Sequence, residues 1–232
     1  MLVNPGGTLT SHSYSQSGGS TDVSGILSTA SYRQSGGGTI IESGGTISAT
    51  TFKATGGTVT VNGTLDPTAV EIGSGVTLQG VGKIVGNVDM SGTMIPGGPG
   101  APGTLTIFGN YGQTGNGILR EFISSSSSGL LDVTGDVALD SDSILSIRLI
   151  GRFDPLGDTF TIMDYASLVG QFSNGSSFWD DGFVWDVNYG ANQIDITAAR
   201  SPEPSSLLLL CIGFAALALI ARLRMAKTRL FA

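Results

Sequence analysis

The sequence predicts an all-β protein: a right-handed parallel β-helix (a solenoid) followed by a single C-terminal hydrophobic helix. Glycine supplies 36 of the 232 residues, and short β-branched segments follow many of the glycine pairs. The segment Ser13–Gly19 returns as Ser31–Gly37, 18 residues on, and a weaker copy, Thr51–Gly57, follows 20 residues later. Repeats of this length are typical of solenoids, in which each repeat forms one coil that packs on the next.

The repeat coils are expected to occupy residues 6–123. Short segments, rich in β-branched residues and bounded by glycine or Asn-Gly, predict the strands: Thr39–Ile41, Thr46–Ser48, Thr58–Val61 and Val76–Leu78. Glycines would form the corners, where a positive φ is needed. Tyr14 and Tyr32 should then stack one coil apart. An antiparallel sandwich, with strands roughly every 8–12 residues, is the competing fold.

A segment rich in proline and glycine, Pro96–Gly103, interrupts the repeats. The following stretch, Thr104–Gln113, has the composition of another coil, and Tyr111–Gly115 repeats the earlier Tyr-x-Gln-Ser-Gly pattern. This Pro-Gly turn leading into Gly-Thr-Leu-Thr-Ile and Gly-Asn-Tyr resembles the passenger β-helix of autotransporters over residues 90–197. The resemblance implies a solenoid and implies no activity. We therefore expect Pro96–Gly103 to be a corner within one domain, and Ser124–Ser128 to be a loop.

Residues 130–197 are expected to form more regular strands that cap the solenoid and complete a body spanning residues 1–199. Apolar residues alternate with polar ones here, for example at Leu145, Ile147 and Leu149, which predicts strands with one buried face. A solenoid needs a cap at its open end. Aromatic residues are enriched in this part of the chain and would provide that cap: Phe153, Phe160, Phe172, Phe178, Trp179, Phe183 and Trp185.

Residues 200–232 differ from the rest of the chain. Pro202, Glu203 and Pro204 precede the apolar block Leu207–Ala221, and a basic tail follows, made of Arg222, Arg224, Lys227 and Arg229. As a helix the block would span roughly 22 Å, short of the ~20 residues that cross a bilayer comfortably. Extension to residues 205–223, with a snorkelling arginine, predicts a marginal transmembrane segment. Its basic end should stay in the cytoplasm, which places the body on the far side.

These three features, in this order, resemble the PEP-CTERM sorting signal of Gram-negative bacteria. The resemblance covers residues 202–232. It implies that an exosortase, a membrane-embedded cysteine protease, cuts at the motif and that the exported protein is then released or re-anchored. The inner membrane would be a transient partner, as for other cleaved C-terminal anchors. An ordinary membrane anchor preceded by a chance Pro-Glu-Pro is the alternative, and both interpretations send the body out of the cytoplasm.

An exported protein also carries an N-terminal signal. Met1–Gly6 has neither the charged region nor the apolar region of a signal peptide. Because the sequence starts inside a repeat, we expect either that the true start lies upstream of Met1 or that this chain is a fragment.

Composition narrows the classes of function. Before residue 222 the chain has 7 basic and 18 acidic residues, a formal charge of −11, so nucleic acid is not an expected partner. The single cysteine, Cys211, lies in the apolar block, and the single histidine, His12, lies between serines. Disulfides within the chain, thiolate metal sites and histidine-rich centres are therefore excluded. No cofactor is expected.

Carboxylates are the remaining candidates for chemistry. Asp180 and Asp181 adjoin Trp179, which could stack on a sugar ring, but strand neighbours point to opposite faces and would converge only in a loop. Four further acids lack the spacing of known calcium loops, and we expect them to be solvated: Asp132, Asp136, Asp140 and Asp142. An exported structural or adhesive protein with no catalytic residues is the favoured function, with extracellular polysaccharide as a further partner. A polysaccharide-active lyase or glycosidase is the alternative, and it requires a groove where acids and a base from different coils converge.

Overall fold

Every regular element in the structure is a β-strand. The structure is a computed structural model and describes residues 1–199, where it contains 24 strands and no helix. In chain order the strands are β1 Leu2–Val3, β2 Thr8–Gln16, β3 Ser20–Val23, β4 Ile26–Gln34, β5 Gly38–Ile41, β6 Thr46–Ala54, β7 Gly57–Val61, β8 Thr64–Ile72, β9 Val76–Gly80, β10 Lys83–Val85, β11 Asn87–Met90, β12 Thr93–Gly98, β13 Ala101–Pro102, β14 Thr104–Phe108, β15 Tyr111–Gln113, β16 Ile118–Ile123, β17 Leu130–Val133, β18 Asp136–Leu139, β19 Ile144–Leu149, β20 Thr159–Asp164, β21 Ser167–Val169, β22 Ser177–Asp180, β23 Phe183–Tyr189 and β24 Gln193–Ala199. The all-β prediction is confirmed for these residues, and the predicted hydrophobic helix at 205–223 lies outside them.

The strands stack in parallel as a solenoid of about six turns. One sheet runs in the order β1-β3-β5-β7-β9-β12-β16-β19, and we call it the first sheet. The second sheet contains the long strands β2, β4, β6 and β8, which pair in parallel one after another. Consecutive coils therefore pair strand on strand, which confirms the solenoid and excludes the sandwich for this part of the chain.

Each coil has three straight segments, because its long strand bends once. In β4 and β6 the paired register stops at Thr29 and resumes at Ser31, so the chain turns at Ala30. In later coils this bend separates two strands: β8 pairs with both β10 and β11, and Gly86, with a φ of 141°, lies between them. Each coil thus presents one segment to the first sheet and two to the second.

The register confirms the predicted repeat. Tyr14 pairs with Tyr32, Tyr32 with Phe52 and Phe52 with Val70, which gives coils of 18, 20 and 18 residues. The Tyr14 and Tyr32 rings stack with their centroids 4.9 Å apart, and those of Tyr32 and Phe52 are 4.6 Å apart. These distances match the spacing of about 4.8 Å between strands, as expected for like residues on successive coils. Coils lengthen toward the C-terminus, where Val137 pairs with Leu168.

The two predicted irregular segments both lie between coils. Pro96–Gly103 forms a short hairpin in which Gly97 pairs with Pro102 across β12 and β13. The coil predicted after it is present as β14 and β15, and the predicted serine loop lies between β16 and β17. In that loop the Ser124 hydroxyl contacts the backbone and side chain of Ser127.

The C-terminal strands of the body close the solenoid in a different geometry. β20, β24, β23 and β22 pair with one another in antiparallel fashion, and Trp185 and Phe172 are fully buried beneath them. Trp179 was expected in this aromatic cluster, but its side chain is 61% exposed. It follows Phe178 on β22, and because consecutive side chains point to opposite faces, only Phe178 packs against the core.

Candidate functional site

The predicted sorting motif cannot be placed by the structure. Pro202, Glu203 and Pro204 lie outside the described residues, as do the four basic residues of the predicted anchor: Arg222, Arg224, Lys227 and Arg229. Within residues 1–199 there is no helix long and apolar enough to cross a membrane. The candidate sites described below therefore all belong to the solenoid body.

The recurring Tyr-x-Gln-Ser-Gly-Gly motif has a structural role in the turn of each coil. The buried Gln34 amide donates to the carbonyl oxygens of Gly56 at 3.0 Å and Thr58 at 3.3 Å, both on the next coil. Gln16 donates in the same way to Gly38 at 2.8 Å, and Gln113 to Ile144 at 3.1 Å. Each glutamine therefore joins its own turn to the following coil through backbone carbonyl groups.

Tyr32 belongs to the same network. The Tyr32 hydroxyl lies 2.6 Å from the Thr39 hydroxyl and donates to the Gln16 side-chain oxygen at 3.2 Å. The Thr39 hydroxyl in turn donates to Gln34 at 2.6 Å. Burial raises the pKa of Tyr32 to about 12, so the phenol stays protonated at physiological pH. The network stabilises the fold and leaves none of these groups free for catalysis.

An open groove of about 400 Å³ crosses four successive coils, from Lys53 to Thr114. Lys53, Glu71 and Asp89 line it, and they occupy one column because Lys53 pairs with Glu71 and Glu71 with Asp89. The Lys53 ammonium contacts the Glu71 carboxylate directly. The remaining lining residues are small or aliphatic, with no aromatic ring among them. The groove presents one cationic and two acidic side chains to solvent, and an exposed ion pair such as Lys53–Glu71 contributes about 0–1 kcal/mol to stability.

Asp180 and Asp181 do not face each other across a cleft. Asp180 accepts hydrogen bonds from the Ile147 N–H at 2.8 Å and from Arg148 Nη1 at 2.7 Å, and Asp181 accepts from the Leu149 N–H. Asp181 has a φ of 45°, in the left-handed region. Both carboxylates therefore bind the edge of β19, and neither is positioned as a general acid or base.

The four acids considered for calcium are dispersed over turns and strands. Asp140 accepts hydrogen bonds from the Gly115 N–H at 2.9 Å, the Asp142 N–H and Ser143, and the first of these is the main cause of its lowered pKa. Asp136 accepts a hydrogen bond from Ser167, and Asp132 interacts with Thr106. Within the described part of the chain, no group of three or more His, Cys, Asp or Glu side chains is arranged to hold a metal ion.

Sequence reasoning missed one titratable residue inside the solenoid, Glu121. Its side chain is fully buried, and neither carboxylate oxygen has a hydrogen-bond partner among the described residues. Desolvation raises the pKa of Glu121 well above its ordinary value, so the carboxyl is held in its neutral form. The signal was present in the sequence, because Glu121 occupies the inward position between Leu119 and Ile123 in a strand of alternating burial.

Comparison with known proteins adds no family to this description. No protein-family model matches the chain, and no curated protein matches it at a significant level.

Proposed function

We propose that this chain is an exported structural or adhesive protein of the cell surface or extracellular matrix, processed at its C-terminus by an exosortase-type membrane protease. One observation carries the proposal: Pro202-Glu203-Pro204, the Leu207–Ala221 block and the basic residues after it occur in this order. Pro202 and Pro204 lack N–H groups and disfavour helix in the residues before them. The motif therefore stays extended for a protease, while a helix over 205–223 inserts transiently into the inner membrane.

The solenoid body supports a structural role. Serine and threonine form outward columns on the first coils, where Thr10 pairs with Ser28 and Ser28 with Ser48. This column of hydroxyl groups covers three coils before Asp66 follows Ser48, and it suits contact with extracellular polysaccharide. Right-handed coiling is part of the proposal, because parallel strands in one sheet are connected almost always with that hand.

Substitution of Glu203 tests the sorting signal. Glu203→Ala leaves the apolar block and the arginines unchanged, so membrane insertion should be retained. In a host that makes an exosortase, processing should fail and full-length protein should accumulate in the membrane fraction, detected with an antibody to the body. Glu42→Ala, which removes an equivalent charge from an exposed position of the body, should be processed normally. Normal trimming and release of the Glu203→Ala protein would leave an ordinary membrane anchor as the better explanation.

A polysaccharide-active enzyme is the second candidate, and the groove at Lys53, Glu71 and Asp89 is the observation that favours it. Acids and a base from different coils meet there, as the enzyme hypothesis requires. The direct contact between Lys53 and Glu71 weighs against it, because the base and one of the two acids are already engaged with each other. Cleavage of a polysaccharide by the wild-type chain, lost in Asp89→Asn, would favour the enzyme.

A further inference from the structure

The last strand of the first sheet, β19, has a neighbour on one side only. It pairs with β16 over its whole length, from Ile118↔Ile144 to Ile123↔Leu149, and no described strand pairs with its other edge. An unpaired edge presents a row of N–H and C=O groups to which another strand can bind. Such an edge at the end of a parallel stack is a site where another chain could continue the sheet.

Side chains occupy this edge in place of a strand. The Leu145 N–H donates to Asn174 Oδ1 at 2.8 Å, the Ile147 N–H donates to Asp180 Oδ2 at 2.8 Å, and the Leu149 N–H donates to Asp181. Alternate residues of a strand direct their backbone groups to the same edge. These three N–H groups are therefore the donors that an added strand would use.

The carbonyl oxygen of Ile147, on the same edge of β19, also has a hydrogen-bond partner. Arg148 Nη1 donates to the Ile147 carbonyl oxygen at 2.8 Å and to Asp180 Oδ1 at 2.7 Å. The Arg148–Asp180 ion pair thus satisfies both backbone groups of Ile147. The carbonyl of Asp180 accepts a hydrogen bond at 3.1 Å from the indole N–H of Trp185, whose ring is fully buried in the cap.

The three capping residues belong to one segment, residues 173–181, which we call the edge strap. At its first residue, the Ser173 N–H donates to the Ser143 carbonyl at 2.6 Å, just before β19 begins. The strap follows β19 and contacts it through side chains, whereas β22 within it pairs in antiparallel fashion with β23. The strap therefore covers the edge of β19 and does not itself add a parallel strand to the first sheet.

We propose that the edge strap ends the solenoid and prevents β19 from pairing with a second copy of this chain. A second copy is the partner that the edge would meet in a purified sample. All strand pairs along the main path of this sheet are parallel, so a strand of that copy that continued the sheet would pair with β19 in the same direction.

The first test is a double substitution in the full chain, purified in a mild detergent. Asp180→Ala with Asp181→Ala frees the Ile147 and Leu149 N–H groups, and the molar mass measured by light scattering should rise with concentration to multiples of the wild-type value. Asp186→Ala is the matched control, because Asp186 is exposed on β23 and makes no side-chain hydrogen bond with the described residues. Its mass should equal that of wild type at every concentration.

A third substitution identifies the edge that pairs. Leu149→Pro, added to the double variant, removes an N–H that faces away from β16, and proline is tolerated at such edge positions. It should reduce the assembly. A folded double variant that keeps the wild-type mass at all concentrations would overturn the proposal, as would assembly that Leu149→Pro leaves unchanged.

Amide hydrogen exchange tests the strap in the unmodified chain. It keeps the proposal testable if the double variant does not fold. The amides of Leu145, Ile147 and Leu149 should exchange at least tenfold more slowly than exposed amides, although no strand covers them. Exchange as fast as that of exposed loop amides would show that the strap does not hold the edge, and the proposal would fail.

Discussion

At the scale of single residues, the glutamine of one coil helps to explain the glycine at the turn of the next coil. A Cβ added at Gly57 would lie 3.0 Å from the Gln34 side-chain nitrogen and 2.1 Å from the Gly37 carbonyl oxygen. Gly57 also has a φ of 90°, which side chains disfavour. The sequence predicted the repeat and its glycine corners. It did not predict that the glutamine amide occupies the turn, because that contact joins residues on different coils.

Removal of the Gln34 amide should weaken the coil stack. Gln34→Ala removes the donor to the Gly56 and Thr58 carbonyl groups and an acceptor of the fully buried Thr39 hydroxyl. A buried polar group that loses its partner costs about 1–3 kcal/mol. The free energy of unfolding, measured by urea titration with circular dichroism, should fall by that amount. Gln171→Ala, at an exposed position, should change it by less than about 0.5 kcal/mol. Equal effects of the two substitutions would contradict the assigned role.

The buried Glu121 makes stability depend on pH. The pKa of Glu121 is raised by burial, so the folded chain holds a proton that the unfolded chain releases above about pH 4.3. Stability should therefore be fully present below that pH and should fall as pH rises toward the folded-state pKa, by up to about 1.4 kcal/mol per pH unit. The pKa of Tyr111 is also raised, mainly by burial and to a lesser extent by the charge of Glu121.

Glu121→Gln should abolish this contribution to the pH dependence. A neutral amide of the same size replaces the neutral acid, so the variant should resemble wild type near pH 4 and be more stable than wild type near pH 8. Thermal unfolding at both pH values provides the measurement. A difference between variant and wild type that does not change with pH would mean that Glu121 is ionised in the folded chain.

At the scale of elements, the alternation of apolar and polar residues predicted where the strands are, but not whether they pair in parallel or antiparallel fashion. The pattern around Ile147 and Trp185 identified strands correctly, but it could not distinguish the parallel β19 from the antiparallel β23, since both bury one face. The alternation also breaks within β20, after Ile162. A register shift between Thr161 and Met163 brings Ile162 and Met163 together into the core.

The inward face of β19 should tolerate no charge. Ile147 is fully buried, and Ile147→Asp places an unpaired carboxyl in the core, which should lower the free energy of unfolding by roughly 3 kcal/mol or more. Val169→Asp, at a position 72% exposed, should cost less than about 0.5 kcal/mol. A loss below about 1 kcal/mol for Ile147→Asp, again by urea titration, would show that this strand is not packed as described.

At the scale of the whole molecule, the sequence repeats made the fold predictable, but they do not identify a function. Stacked coils of similar sequence bury their apolar columns against each other, so a few repeats suffice to predict the architecture. A solenoid carries many functions, and the fold by itself identifies none. The positions of Lys53, Glu71 and Asp89 in one column could be read only once the register was known, because they are 18 residues apart in sequence and adjacent in space.

The most direct test of the proposed export and sorting is the mass of the mature protein. Wild-type chain is produced in a host that makes an exosortase, recovered from the cell surface and medium, and its C-terminal peptide is identified by mass spectrometry. Cleavage at Pro202-Glu203-Pro204 predicts a C-terminus at or beside this motif and no peptide from Leu207–Ala221. Recovery of surface protein that still ends at Ala232, with the apolar block intact, would contradict the proposal.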